Sequence, residues 1–256
     1  DERLIVANHD LLTASKLYVL TEVARALAVQ MELPALLQSV IEKITDVLDP
    51  AELGLVMLWD PATRRFWPRA VAGATVSDLR EVFEISLKEN ESITGKVFTE
   101  GRAQLLNTPS TVMNEKLNVR PVTQEAMAKI YGPATFPQSV IAAPLQAGEN
   151  RYGVLVLETL QGTTAFSATD LPFVQALADL IALEIDRAKL DAEATAAHEA
   201  REANRLRSEV MAALSHELRT PLAAIKGYAT ALMIEEVDWA EEKQQEFLRL
   251  IDQETD

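Results

Sequence analysis

Cysteine is missing from all 256 residues. Disulfides, thiolate metal sites and any cofactor held through a cysteine thioether are therefore excluded. Histidine is nearly as scarce, with three in all: His9, His198 and His216. No two fall at ligand spacing, so the chain is expected to hold no metal. The nine glycines are never two apart, which leaves no G-x-G loop to cradle a phosphate. No apolar run approaches the roughly 18 residues that span a bilayer. Basic residues are outnumbered 24 to 39, for a net charge of -15. Such a balance disfavours nucleic acid, whose binding needs clustered Lys and Arg, and acidic lipid surfaces too. The opening DERLIVANHD has neither the basic nor the apolar region of a signal peptide. It lacks an initiator Met, and the last residues, LRLIDQETD, still read as helix. The expectation is a piece of a longer cytoplasmic protein, with an upstream membrane anchor left open.

What is present is ample apolar material, 48% of residues, enough for one or two domains with a full core. Residues 1–13 read as a helical lead-in. Residues 14–31 place Leu17, Leu20, Val23, Leu27 and Met31 at helical spacing, and Pro34 opens a second amphipathic helix. The period then changes. LGLVMLWD and RFWPRAVAG, around PATRR, read as two strands. A short helix is expected at 77–84, and another, with a Gly101 turn and a strand, in SITGKVFTEGRAQLLN. Residues 108–137 carry four prolines and no clean period, as in a lid or a disordered insert. SVIAAPLQAGENRYGVLVLETL is a hairpin around AGEN.

From Ser167 onward the pattern is helical. SATD supplies a cap through Ser167 or Thr169. The run through Val174, Leu177, Ile181, Ile185, Ala188, Ala192, Ala196, Ala203, Leu206 and Val210 meets no Gly or Pro until Pro221, which predicts a coiled coil. Within SHELRTPL and beyond, Leu214, Leu218, Leu222, Ile225, Ala229 and Leu232 form one helical stripe. At about 100° per residue, His216 lies well off that stripe, with Thr220 a turn above it and Glu217 flanking. Pro221 removes a helical hydrogen bond and is expected to bend the helix there. VDWAEE suggests Asp238 as the cap of a last helix carrying Phe247, Leu250 and Ile251. Such a hairpin cannot bury both stripes alone, but two make a four-helix bundle, so a homodimer is expected. An exposed imidazole whose Nδ1–H meets a carboxylate keeps its Nε2 lone pair free for attack.

LSHELRTPLAAIKGYATALM closely resembles the H box of sensor histidine kinases, in their dimerisation and phosphoacceptor domain. The hairpin and the SATD helix resemble the C-terminal half of a GAF domain, and SITGKVFTEGRAQLLN resembles its middle. The resemblance implies an α+β GAF domain at 14–186, an antiparallel sheet with flanking helices. A coiled-coil signalling helix follows at 187–207, then a HisKA hairpin at 208–256 that dimerises into a four-helix bundle. It implies that His216 accepts the γ-phosphoryl group of ATP, that Glu217 orients and deprotonates it, and that Thr220 positions water for removing phosphate from a receiver aspartate. Arg219 and Lys226 would meet phosphate or acidic partner groups, or simply face solvent.

ATP and Mg²⁺ belong on this reading to a C-terminal ATP-binding domain of the full-length kinase. The chain alone is expected to accept phosphate without making it. Partners would be a second copy, that ATP-binding domain and a response-regulator receiver domain. GAF domains bind small molecules against one sheet face, and Trp59, Trp67, Tyr131 and the 108–137 insert are candidates to line such a pocket. Covalent bilin is excluded for want of cysteine, and a histidine-ligated haem is disfavoured because no His lies between His9 and His198. The ligand itself stays open. Two other classes compete: a dimeric GAF scaffold with an idle His216, and a GAF regulator of a phosphodiesterase or cyclase.

Overall fold

A computed structural model describes residues 14, 16–26, 31–73, 82–116, 118–131, 136–161, 165–234 and 237–255, without the side chains of residues 116 and 129–131. The lead-in at 1–13 and most of the helix expected at 77–84 lie outside these residues. The chain divides into two compact units, 1–190 and 191–256.

The first unit is built on one six-stranded antiparallel sheet, ordered β3-β2-β1-β6-β5-β4. Its strands are β1 (Leu53–Asp60), β2 (Arg65–Ala72), β3 (Leu87–Lys88), β4 (Gln104–Leu106), β5 (Ser139–Ala147) and β6 (Asn150–Thr159). The β1–β2 turn is fixed by Asp60, whose carboxylate accepts from the Ala62 amide at 2.9 Å and the Thr63 hydroxyl at 2.7 Å. The β5–β6 hairpin falls where the sequence placed it, with Gly148 at φ 59° in the turn. Gly153 permits the closest strand approach: a Cβ there would sit 1.9 Å from the Met57 carbonyl oxygen.

Strand alternation sends side chains to two faces. On the first face, Val56, Ile141, Ala143, Leu155 and Leu157 pack against α1 (16–26), α2 (Leu33–Val47) and the start of α6 (Leu171–Leu232). The α1 core stripe is Val19, Val23 and Ala26; of the expected set, Val23 is buried and Leu20 packs against the core, Leu17 and Met31 are 65% and 42% exposed, and Leu27 lies outside the described residues. Helix α2 buries Leu36, Leu37, Val40, Ile41 and Ile44, and α6 buries Val174, Leu177, Ile181 and Ile185. Each such side chain contributes about 1.5–3 kcal/mol on burial. Ser167 and Asp170 close a capping box before α6, and Lys16 of α1 pairs with Asp170 at 2.7 Å.

On the second face, Leu53, Leu55, Met57, Val154 and Val156 meet α3 (Ser92–Glu100), α4 (Pro109–Lys116) and the segment leading into α5 (Pro121–Tyr131). Here the sequence expectation is corrected: 108–137 contains two helices. Both begin at a proline, whose fixed φ suits the first turn. Both are weakly amphipathic, so their periodicity did not stand out.

The second unit is a helical hairpin. Helix α6 is continuous through Pro221 to Leu232, and α7 spans Glu241–Gln253. The α7 N-cap is Ala240, without a side-chain cap bond, so Asp238 is not the cap. Trp239 displaces the start: its Nε1 donates to the Ala231 carbonyl at 3.0 Å, and Gln244 Nε2 donates to the Trp239 carbonyl at 3.0 Å. The Phe247 ring stacks on Tyr228 at 5.8 Å and meets Trp239 edge-on at 5.3 Å.

Candidate functional sites in the two units

In the first unit, a cavity of about 50 Å³ opens on the second face of the sheet. Its walls are mainly aliphatic, from Leu53, Leu55, Met57, Leu87, Val156 and Met127 of α5. Ser92, Thr94 and Glu158 supply the polar groups. Glu158, 6% exposed, is the one acid in the apolar run YGVLVLETL, a signal that marks it in the sequence. Each water needs about 10–15 Å³ of such space, so the cavity holds only a few.

The aromatic candidates stand elsewhere. Trp59 shares the cavity's face but packs, with tilted rings, against Phe66 at 4.8 Å and Phe98 at 5.3 Å. Trp67 alternates with Phe66 and Pro68, which face the second-face core and the cavity, and its Nε1 donates to Thr63 Oγ1 at 3.4 Å. Neither tryptophan lines the cavity. The side chain of Tyr131 lies outside the described residues. Of the insert, α5 contributes Met127.

An ion pair between buried Glu91 and half-buried Arg120 fastens this region. The Glu91 carboxylate accepts from Arg120 Nε and, at 2.8 Å, from the Lys88 amide, while Arg120 Nη2 donates to the Ser86 carbonyl at 3.0 Å. Burial pushes the Glu91 carboxyl up, but Arg120 and the backbone amides outweigh it and hold the group below its ordinary value. Ser92, next in the chain, takes a left-handed φ of 61°. Backbone strain of this kind collects at functional sites.

In the second unit, His216, Glu217 and Thr220 are all exposed on α6. Their facing follows from the helix period: His216 points about 170° from the centre of the stripe begun by Leu214. Among the described residues, none of the three makes a side-chain hydrogen bond. Glu217 is not bonded to the imidazole because adjacent helical residues diverge by about 100°. Pro221 offers no amide to the Glu217 carbonyl. Leu214, Leu218 and Leu222 are 49%, 59% and 61% exposed, so the stripe beside the histidine is uncovered in one chain. No group of three or more His, Asp or Glu among the described residues is placed to hold a metal.

Residues 30–186, more than half the chain, match the GAF domain family. The chain belongs to the GAF domain family. After the GAF domain, residues 206–256 match the His Kinase A (phospho-acceptor) domain, HisKA. The sensor protein KdpD of Escherichia coli (strain K12) is 33% identical over 92 residues, 36% of this chain. The chain spans about a tenth of that relative's length. GAF followed by HisKA is the make-up of part of a two-component sensor histidine kinase. Among solved structures, the GAF domain of a phosphoenolpyruvate-protein phosphotransferase from Coxiella burnetii superposes with a TM-score of 0.56 at 19% identity, covering 70% of this chain and 98% of that one. Its Acinetobacter counterpart gives 0.55 at 19%, covering 68% and 94%. These two fix the fold alone. No described helix is long and apolar enough to cross a membrane.

Proposed function

We propose that this chain is the sensing and phosphoacceptor portion of a sensor histidine kinase, in which a small molecule in the GAF cavity governs phosphorylation of His216. The carrying observation is His216 itself: exposed within the matched phospho-acceptor domain, on the helix face opposite an uncovered apolar stripe. A second copy covering the stripe would leave the imidazole open to solvent. Nε2 then forms the bond to phosphorus as the donor's leaving oxygen departs. Glu217 takes the ring proton after a change of rotamer, and Thr220, a turn away, orients water when phosphate is removed from a receiver aspartate. This chain has no glycine loop for a nucleotide, so ATP and Mg²⁺ are assigned to a separate ATP-binding domain. The cavity suits a compact, largely apolar ligand with one hydrogen-bonding end.

The test supplies a histidine kinase ATP-binding domain and labelled ATP in trans. Acid-labile label is expected on the wild-type chain and none on His216→Gln. The chain incubated alone with ATP and Mg²⁺ is expected to stay unlabelled. Label that survives His216→Gln would sink the assignment and leave the idle-histidine scaffold.

A further inference from the structure

We propose that Arg151 and Tyr152, neighbours on β6, couple the cavity wall to the outgoing helix α6. Their side chains leave opposite faces of the sheet. Arg151 Nη1 donates to the carbonyls of Phe98 and Thr99, both at 2.7 Å, and Nε donates to Gln146 Oε1 at 3.2 Å. Those two carbonyls lie in the last turn of α3, where helix acceptors have no partners of their own and a cation meets the negative end of the dipole. The first turn of the same helix gives Ser92 and Thr94 to the cavity. Gly101, which ends α3 at φ 69°, makes room for the contact: a Cβ there would lie 2.7 Å from Arg151 Nη2.

On the other face, the Tyr152 hydroxyl donates to the Asp186 carboxylate, and Lys189 Nζ sits 6.0 Å from the centre of the Tyr152 ring. Asp186 directly follows Ile185, the last buried residue of α6, and Lys189 lies one turn beyond Ile185. One strand thus grips the far end of the cavity helix and the point where α6 leaves the core. Both grips are directional polar bonds, and residues 151 and 152 share one backbone. A shift of α3 on filling the cavity therefore pulls Arg151 and tilts Tyr152 with it. The ladder irregularity at Leu145/Gln146, opposite this point, lets the hairpin end tilt without breaking the sheet.

This link rests on the reading of the cavity as the sensory site, but its test needs no ligand. Amide hydrogen exchange is followed by NMR on the whole chain. Tyr152→Phe keeps the ring and loses the bond to Asp186, and should speed exchange at 186–190 by about threefold to tenfold. The deciding readout is across the sheet: the same variant should speed exchange at 98–101 by at least about twofold, and Arg151→Met should do the reverse, because coupling is reciprocal. The double variant should change each region less than the sum of the singles. Effects confined to each variant's own face, with an additive double, would overturn the proposal. If Arg151→Met does not fold, Asp186→Asn decides by the same reading at 98–101. A GAF cavity that binds nothing would leave these results unchanged, so the two readings fail separately.

Discussion

The two units handle apolar surface in opposite ways. In the first, α6 sinks Leu177, Ile181 and Ile185 to 0%, 0% and 5% exposure. In the second, the same helix leaves Leu214, Leu218 and Leu222 about half exposed, and none of the described residues from 191 to 255 is buried. One sequence pattern, apolar residues three and four apart, thus has two outcomes. In the first unit this stripe of α6 is buried within one chain, whereas in the second it is an apolar surface that one chain does not cover. Amphipathic periodicity says which face must be buried and leaves open whose surface buries it.

The contrast breaks most visibly if the same truncation is made in both units. Leu177→Ala should cost about 2–5 kcal/mol of unfolding free energy, independent of protein concentration. Leu218→Ala should cost little in dilute solution and show itself as weaker self-association, by about a hundredfold if each of the two copies loses roughly 1.4 kcal/mol. Urea titration at two concentrations and sedimentation equilibrium distinguish the cases. Equal, concentration-independent losses would mean that the stripe is not an interface between copies.

A smaller effect probes the ion pair beside the cavity. Glu91→Gln should lower the stability of the first unit at pH 7 by about 1–3 kcal/mol. The carboxyl is held below its ordinary 4.5 in the folded chain, so its contribution is present above pH 4.5 and fades as pH falls through the lower folded value. The gap between wild type and variant should therefore close in acid, as read from urea midpoints across pH 3–7 (about the usable range). A gap that stays constant would deny the carboxylate this part.

The smallest effects compare two helix starts. Ser167→Ala removes a capping-box partner and should cost about 1 kcal/mol, whereas Asp238→Ala should change stability by only a few tenths, because Asp238 caps nothing. Thermal melts of the two variants make the comparison.

These cases also show where sequence is a good guide. The β5–β6 hairpin and the outward facing of His216 follow from period alone, which local sterics enforce. The α4 and α5 helices were hidden because their prolines read as breakers and their faces carry little amphipathic contrast. Trp59 and Trp67 stand off this cavity for another reason: aromatic content pointed to them, but strand parity and ring packing decide which residues border open space, and here those are leucines, Met57 and Glu158. Asp238 looked like a cap until the Trp239 indole, anchored on Ala231, moved the helix start onward.

Pro221 has a mechanical consequence. The backbone ladder of α6 stiffens it as rungs stiffen a frame, and Pro221 removes a rung at the carbonyl of Glu217. Stiffness is therefore lowest in the turn beside His216, and any torque entering the helix concentrates its strain there. His216 thus sits beside the one rung missing from the interior of a long rod, where a twist meets least backbone resistance.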